Sequence, residues 1–274
     1  MKFSINDREI GFDHPPFIIA EMSGNHNGSL QRALEIVDAA AECGADAIKL
    51  QTCDAEENYV PGTESYELFS QCELSREETD KMFKYARQLG LDPFTTSPDP
   101  RTLEWVDKLN PAGHKISSGM MTNPVIIRKT CETNRPILMS TGLATQDQID
   151  ESVSWIRKYG NVEKVGLFQC TSIYPAPVET LNLAAIRGME ERYGMSVGFS
   201  DHTAGVEIAA ISVFSGAKMI EKHFTLDKKK LGYDHHISLE PSEMKEMVKK
   251  IRAAEVILGK PHKNVEGALE GNAQ

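Results

Sequence analysis

Between Pro16 and about Ile257 the chain alternates two kinds of segment. Short runs of apolar and β-branched residues are separated by longer runs whose apolar positions recur every three or four residues. The first pattern predicts buried strands and the second amphipathic helices. FIIAE forms a strand ending at Glu21, and the helix over Leu30–Cys43 places Ala33, Leu34, Ile36, Val37 and Ala40 on one face before Gly44 stops it. DAIKLQ follows, ending near Gln51. After a longer loop, SREETDKMFKYARQLG opens on a capping box at Ser75 and Glu78 and ends at Gly90. The rhythm repeats as DPFTT and Arg101–Leu109, GHKIS and Pro124–Thr133, PILMST and Gln146–Tyr159. It closes as KVGLFQC and Leu181–Tyr193, SVGFS and Val206–Ser215, KMIEKHF and Pro241–Leu258. Eight βα units without a composition break, in 274 residues, predict an α/β fold of the (β/α)8 TIM-barrel type. A doubly wound sheet would need fewer strands and a Gly-rich nucleotide turn, and no GxGxxG occurs. Residues 1–15 predict a hairpin (FSI, a DRE turn, IGF), 16–259 the barrel and 260–274 a loose polar tail.

Polar residues gather where this fold keeps its chemistry. A barrel interior is filled by branched apolar side chains, and active sites lie at the C-terminal ends of the strands. Those ends carry Glu21, Asn25 and His26; Lys49 and Gln51; Thr95, Thr96 and Ser97; Lys115, Ser117 and Ser118; Ser140 and Thr141; Gln169, Thr171, Ser172 and Tyr174; Ser200, Asp201 and His202; Glu221, Lys222 and His223. A single strand-end Ser or Thr is more often a cap or a turn former. Convergence from all eight strands is hard to explain structurally, because buried polar groups cost free energy unless partnered. The pattern therefore predicts an enzyme.

Lys49 and Lys115 sit within otherwise apolar strands. With the hydroxyls around them they could clamp a phosphate and a carboxylate. A Schiff-base lysine, or internal salt bridges to Glu21 and Glu221, are the competing readings. His202 and His223 close adjacent strands, so two neutral imidazoles could share one divalent ion, with substrate oxygens in the open positions. His235 and His236, beside Asp234, fit a substrate contact or a solvated loop equally well.

The composition adds exclusions. Hydrophobic residues at 40% and charged residues at 26% are ordinary for a globular protein. The net charge of −10 disfavours a general nucleic-acid binder. No apolar run is long enough to span a membrane, and the N-terminal stretch has no apolar signal-peptide core, so the cytoplasm is expected. Five cysteines without a CxxC pair are expected to be reduced thiols.

In order along the chain stand FIIAEMSGNHNGS (17–29), GADAIKLQT (44–52), HKISSG (114–119), ILMSTGLAT (137–145), QCTSIYPAP (169–177), VGFSDHTAG (197–205), IEKHFTLDK (220–228) and DHHISLEP (234–241). Together they resemble the N-acetylneuraminate synthase family, whose members make sialic, legionaminic and pseudaminic acids. The resemblance covers nearly the whole barrel. It implies metal-dependent condensation of phosphoenolpyruvate with an N-acetylhexosamine-type aldehyde sugar, with C–O cleavage and phosphate release. It implies that His202 and His223 bind the metal, manganese first, with cobalt or magnesium as substitutes. It places Lys49, Thr95, Lys115, Ser118, Ser140, Ser172 and Ser200 on phosphoenolpyruvate, and Glu21, Gln51, Tyr174, Asp201, Glu221 and Asp234 around the sugar. Of these, Glu21, Glu221 and Asp234 are the expected catalytic carboxylates. Alternatives are another phosphoenolpyruvate-dependent keto-sugar-acid synthase with a different aldose, or a non-catalytic sugar-acid-binding homologue. Relatives imply a homodimer. Two departures bear on the acceptor. Met120 stands where the family commonly has Glu, and the 274 residues do not extend into the C-terminal antifreeze-like domain that most members carry.

Overall fold

The computed structural model describes residues 3–260. The expectation of a loose tail falls, apart from Lys260, outside the described residues. Two short strands, β1 (Phe3–Ile5) and β2 (Arg8–Ile10), pair antiparallel. Eight more strands follow: β3 (Phe17–Ser23), β4 (Ala47–Gln51), β5 (Asp92–Thr96), β6 (Gly113–Ile116), β7 (Ile137–Ser140), β8 (Val165–Cys170), β9 (Ser196–Asp201) and β10 (Met219–His223). They form a closed parallel barrel in chain order, with β10 returning to β3. The (β/α)8 expectation is therefore met. Among the described residues, no helix is long and apolar enough to cross a membrane.

Most of the helices begin on a local signal. α1 (Leu30–Glu42) starts where the Ser29 side chain accepts from the Arg32 N–H. The excursion after β4 holds two short helices, α2 (Ala55–Asn58) and α3 (Glu64–Ser70), capped by Asp54 and Thr63. α4 (Arg76–Gln88) carries the expected capping box, with both reciprocal bonds formed. α5 (Pro100–Asp107), α6 (Pro124–Glu132) and α10 (Pro241–Leu258) all open on proline. α7 (Gln146–Tyr159), α8 (Ala184–Tyr193) and α9 (Glu207–Phe214) complete the ring. α8 starts later than expected, because Asn182 has a φ of 45° that breaks a helix from Leu181. The hairpin turn is also earlier: Ile5 pairs with Arg8, so the turn is Asn6–Asp7 and Arg8 belongs to the second strand. Asn6 takes the left-handed conformation that asparagine tolerates.

Alternation along the strands separates two cores. Outward residues such as Ile18, Ala20, Ile48, Leu50, Val197 and Ile220 pack with the helices. Inward residues Phe17, Ile19, Ala47, Phe94, Leu138, Phe168 and Met219 join Phe3, Ile5 and Ile10 of the hairpin in a second cluster. The hairpin thus plugs the N-terminal end of the barrel. Gly166 makes room for the plug, since a Cβ there would lie 2.6 Å from Met219 Cε and 3.0 Å from Phe3 Cε1. With the lower half packed, the inward positions left for polar groups are those at the C-terminal mouth.

Candidate active site

At the mouth lies a cavity of about 310 Å³. Its walls include Glu21 from β3, Lys49 and Gln51 from β4, Thr96 from β5, Lys115 from β6, Ser140 from β7, Cys170 from β8, Ser200 from β9, and Glu221 and His223 from β10. Ser117, Ser118, Gly119, Leu143, Ser172, Tyr174 and His202 complete the rim from the loops just beyond. Twelve of the fifteen expected site residues meet here.

Four buried charges alternate across the floor. Lys49 pairs with Glu21 and lies 3.8 Å from Glu221. Lys115 Nζ lies 2.8 Å from both carboxylate oxygens of Glu221 and 4.8 Å above the Phe168 ring. The salt bridges weighed from sequence are thus present, and they are compatible with a clamp: an incoming anion can share each ammonium group with its glutamate. Burial pushes the Glu21 carboxyl well above the usual carboxylate range, against the pull of Lys49. Burial acts on Glu221 in the same sense, but Lys115 and Lys49 outweigh it and hold that carboxyl down. The two glutamates therefore differ in proton affinity, the arrangement a site needs to keep one charged while the other exchanges a proton.

Hydroxyls ring one side. Ser200 Oγ donates to Glu221 Oε1 at 3.0 Å, and Ser118 Oγ accepts from the Gly142 N–H at 3.0 Å. Gly142 is required by close approach. A Cβ there would lie 2.6 Å from Ser172 Oγ, 2.7 Å from Cys170 Sγ and 3.0 Å from Ser118 Oγ. The bare backbone leaves a cradle of small donors in the cavity that Lys115 also lines.

His202 and His223 face the same cavity with ring centres 5.5 Å apart, and Tyr174 packs 4.3 Å from the His202 ring. His202 Nδ1 donates to the Thr171 carbonyl at 2.7 Å, which leaves the lone pair on Nε2, with Ser200 Oγ 3.4 Å away. His223 Nδ1 is buried without a hydrogen-bond partner. Burial holds both imidazoles neutral, His202 lowered to about 4 and His223 to about 3, the latter helped by Lys49. Two neutral imidazoles with available nitrogens fit a divalent ion, since such nitrogens coordinate at about 2.1 Å. Among the described residues no group of three or more His, Cys, Asp or Glu side chains could hold a metal, so further ligands would have to be water or substrate oxygens.

Three expected residues are elsewhere. Thr95 points outward, where its hydroxyl bonds the Leu50 carbonyl and receives the Thr52 N–H. Its neighbour Thr96 faces the cavity, with Oγ1 3.4 Å from Lys49 Nζ. Asp201 is also outward: its carboxylate receives Thr203 N–H at 2.8 Å and pairs with Lys222 at 3.0 Å. Asp234 lies one layer behind the wall, bonded by Ser23 and 3.7 Å from His223 Nδ1, and burial raises its carboxyl. Sequence reasoning left Thr96, Ser117 and Cys170 out of the set assigned to substrate. Counting by twos from Phe94 gives Thr96 directly. His235 is buried, bonded to Thr225 Oγ1 at 2.7 Å and Asn27 Oδ1 at 3.2 Å, so it holds loops together. Met120 packs half-buried against the helix-side core and does not line the cavity. All five cysteines are free.

The chain is 40% identical over 262 residues to the uncharacterized protein MJ1065 of Methanocaldococcus jannaschii, covering 96% of this chain and 77% of that protein. It is 36% identical to the N,N'-diacetyllegionaminic acid synthase of Legionella pneumophila, covering 90% and 74% respectively. Its structure superposes on the N-acetylneuraminic acid (sialic acid) synthetase of Leptospira borgpetersenii, solved in complex with citrate, with a TM-score of 0.94 at 30% identity, covering 99% of this chain and 95% of that one. The family model described as NeuB matches residues 36–263. On the barrel, the mouth and these likenesses together, the chain belongs to the NeuB family.

Proposed function

We propose that this enzyme condenses phosphoenolpyruvate with an N-acetylhexosamine-type aldehyde sugar to give a nonulosonic acid and phosphate. The observation that carries the reading is the paired lysine–glutamate array facing a cradle of hydroxyls in one barrel mouth. Phosphoenolpyruvate carries a phosphate and a carboxylate, which match two ammonium groups and the donors of Thr96, Ser118, Ser140, Ser172 and Ser200. The sugar then occupies the side lined by Gln51 and Tyr174, with Asp234 behind.

His202 and His223 would hold a divalent ion, manganese by the family resemblance. When bound, such an ion supplies Lewis-acid polarisation of a carbonyl oxygen. The rest of the step falls to the chain. Lys49 and Lys115 fix phosphoenolpyruvate so that its methylene carbon faces the aldehyde. As the new C–C bond forms, positive charge develops at C2, and ionised Glu221 stabilises it. Glu21, with its raised proton affinity, accepts the proton of the water that adds to C2, and that proton goes on to the alkoxide left at the former aldehyde carbon. Phosphate leaves with the bridging oxygen, and the two lysines balance its charge.

The test is phosphate release and product mass from phosphoenolpyruvate with a panel of aldehyde sugars, run with manganese and with a chelator. The expected result is metal-dependent turnover on N-acylated hexosamines. Undiminished turnover under chelation would remove the metal, and turnover confined to plain aldoses would point to another keto-sugar-acid synthase.

A further inference from the structure

We infer that the buried Asp201–Lys222 ion pair is a positioning device that holds His202 in place beside His223. The inference rests on the proposed metal role of those imidazoles only for one of its two readouts. Asp201 and Lys222 are neighbours of His202 and His223 in sequence but point the opposite way, into the layer between barrel and helices. Both side chains have no exposed surface, and their charged atoms lie 3.0 Å apart.

The connections enclose His202. Lys222 Nζ donates to the Thr203 carbonyl at 2.6 Å. Asp201 Oδ1 receives the Thr203 N–H at 2.8 Å and the Thr203 hydroxyl at 2.7 Å. The residues before and after His202 are therefore both tied to the residue before His223.

The sheet ladder cannot do this alone. Lys222 opposite Asp201 is the last register pair between β9 and β10, so His202 lies beyond the ladder. His223 is fixed by its pairing with Glu21 on the other side. Without the clamp, the main ties on His202 would be the Ala176 N–H to its carbonyl and its own bond to Thr171. A buried ion pair is a poor source of stability, because apolar replacements of similar size are often neutral or better. What it supplies here is directed bonds that an apolar pair cannot make.

The experiment uses the whole chain carrying Asp201→Asn with Lys222→Met. This removes both charges and leaves an amide oxygen for Thr203. Thr203→Val, which deletes one bond and leaves the ion pair, is the milder companion. Thermal unfolding reports the fold. Manganese affinity by calorimetry, and the ring-nitrogen NMR of His202 without metal, report position. The inference predicts a folded double variant with manganese bound at least tenfold more weakly, and a mixture of tautomers at His202 where the native protein has Nδ1–H alone. Thr203→Val should show a smaller shift in the same direction. A folded double variant with native tautomer and affinity within twofold of native overturns the inference. If the native protein binds no manganese, the metal reading fails, and the tautomer readout still decides the positioning role. If the double variant does not fold, Thr203→Val with a native tautomer overturns it.

Discussion

Lys115 Nζ contacts both carboxylate oxygens of Glu221 at 2.8 Å, in a place where neither side chain is more than 6% exposed. Replacing Lys115 with Met keeps the packing on Phe168 but leaves Glu221 with Lys49 as its cationic partner, at 3.8 Å. Breaking one side of a buried pair costs about 3–5 kcal/mol. Lys115→Met should lower stability by that order in urea unfolding. It should also raise the apparent KM for phosphoenolpyruvate by about tenfold or more, the equivalent of ~1.4 kcal/mol in binding. A native KM would remove Lys115 from the clamp.

Thr95 and Thr96 separate a structural hydroxyl from a functional one. Thr96→Val should weaken phosphoenolpyruvate binding with little change in melting temperature. Thr95→Val removes a buried hydroxyl that bonds the Leu50 carbonyl and the Thr52 hydroxyl and N–H, and should cost about 1–3 kcal/mol of stability. The reversed pattern would mean that Thr95, and not Thr96, meets the substrate.

The cradle at Gly142 can be filled directly. Gly142→Ala adds a methyl within 2.6–3.0 Å of Ser172, Cys170 and Ser118. We expect a folded protein with a several-fold to hundredfold higher KM for phosphoenolpyruvate. Steady-state kinetics that match the native enzyme would show that the anion sits elsewhere.

His26 offers a pH test outside the cavity lining. It is fully buried, and desolvation lowers its pKa from 6.5 to about 4. A depressed histidine stabilises the fold above its unfolded pKa and loses that contribution as pH falls, here from 6.5 toward about 4. Between about pH 7.5 and 5 the native protein should lose roughly 2 kcal/mol more stability than His26→Gln. Parallel losses in the two proteins would show that His26 is already charged in the fold.

Much of the fold was legible in the sequence, because the barrel enforces simple periodicities. The capping box at Ser75 and Glu78 and the span of α7 follow from pattern alone. So does the gathering of polar side chains at strand ends. What escaped was local. Polar neighbours such as Thr95 and Thr96, or Ser200 and Asp201, look alike in a motif, and only the period of two tells which faces inward. Carrying Asp201 and Thr95 over from the resemblance without that count put two outward side chains in the site. The short helices α2 and α3 escaped because four and seven residues give too little periodicity to read. The plug formed by the hairpin depends on contacts between residues far apart in the chain, such as Phe3 and Gly166, which no local pattern encodes.

Carbon–oxygen cleavage of phosphoenolpyruvate during attack on an aldehyde sugar is the central chemical claim. The decisive measurement is the fate of an oxygen-18 label in the bridging position of phosphoenolpyruvate, followed by mass spectrometry of both products. The expected result is the label in the released phosphate and a nine-carbon acid whose C2 oxygen comes from water. Label retained in the organic product, or phosphate released without a new carbon–carbon bond, would contradict it.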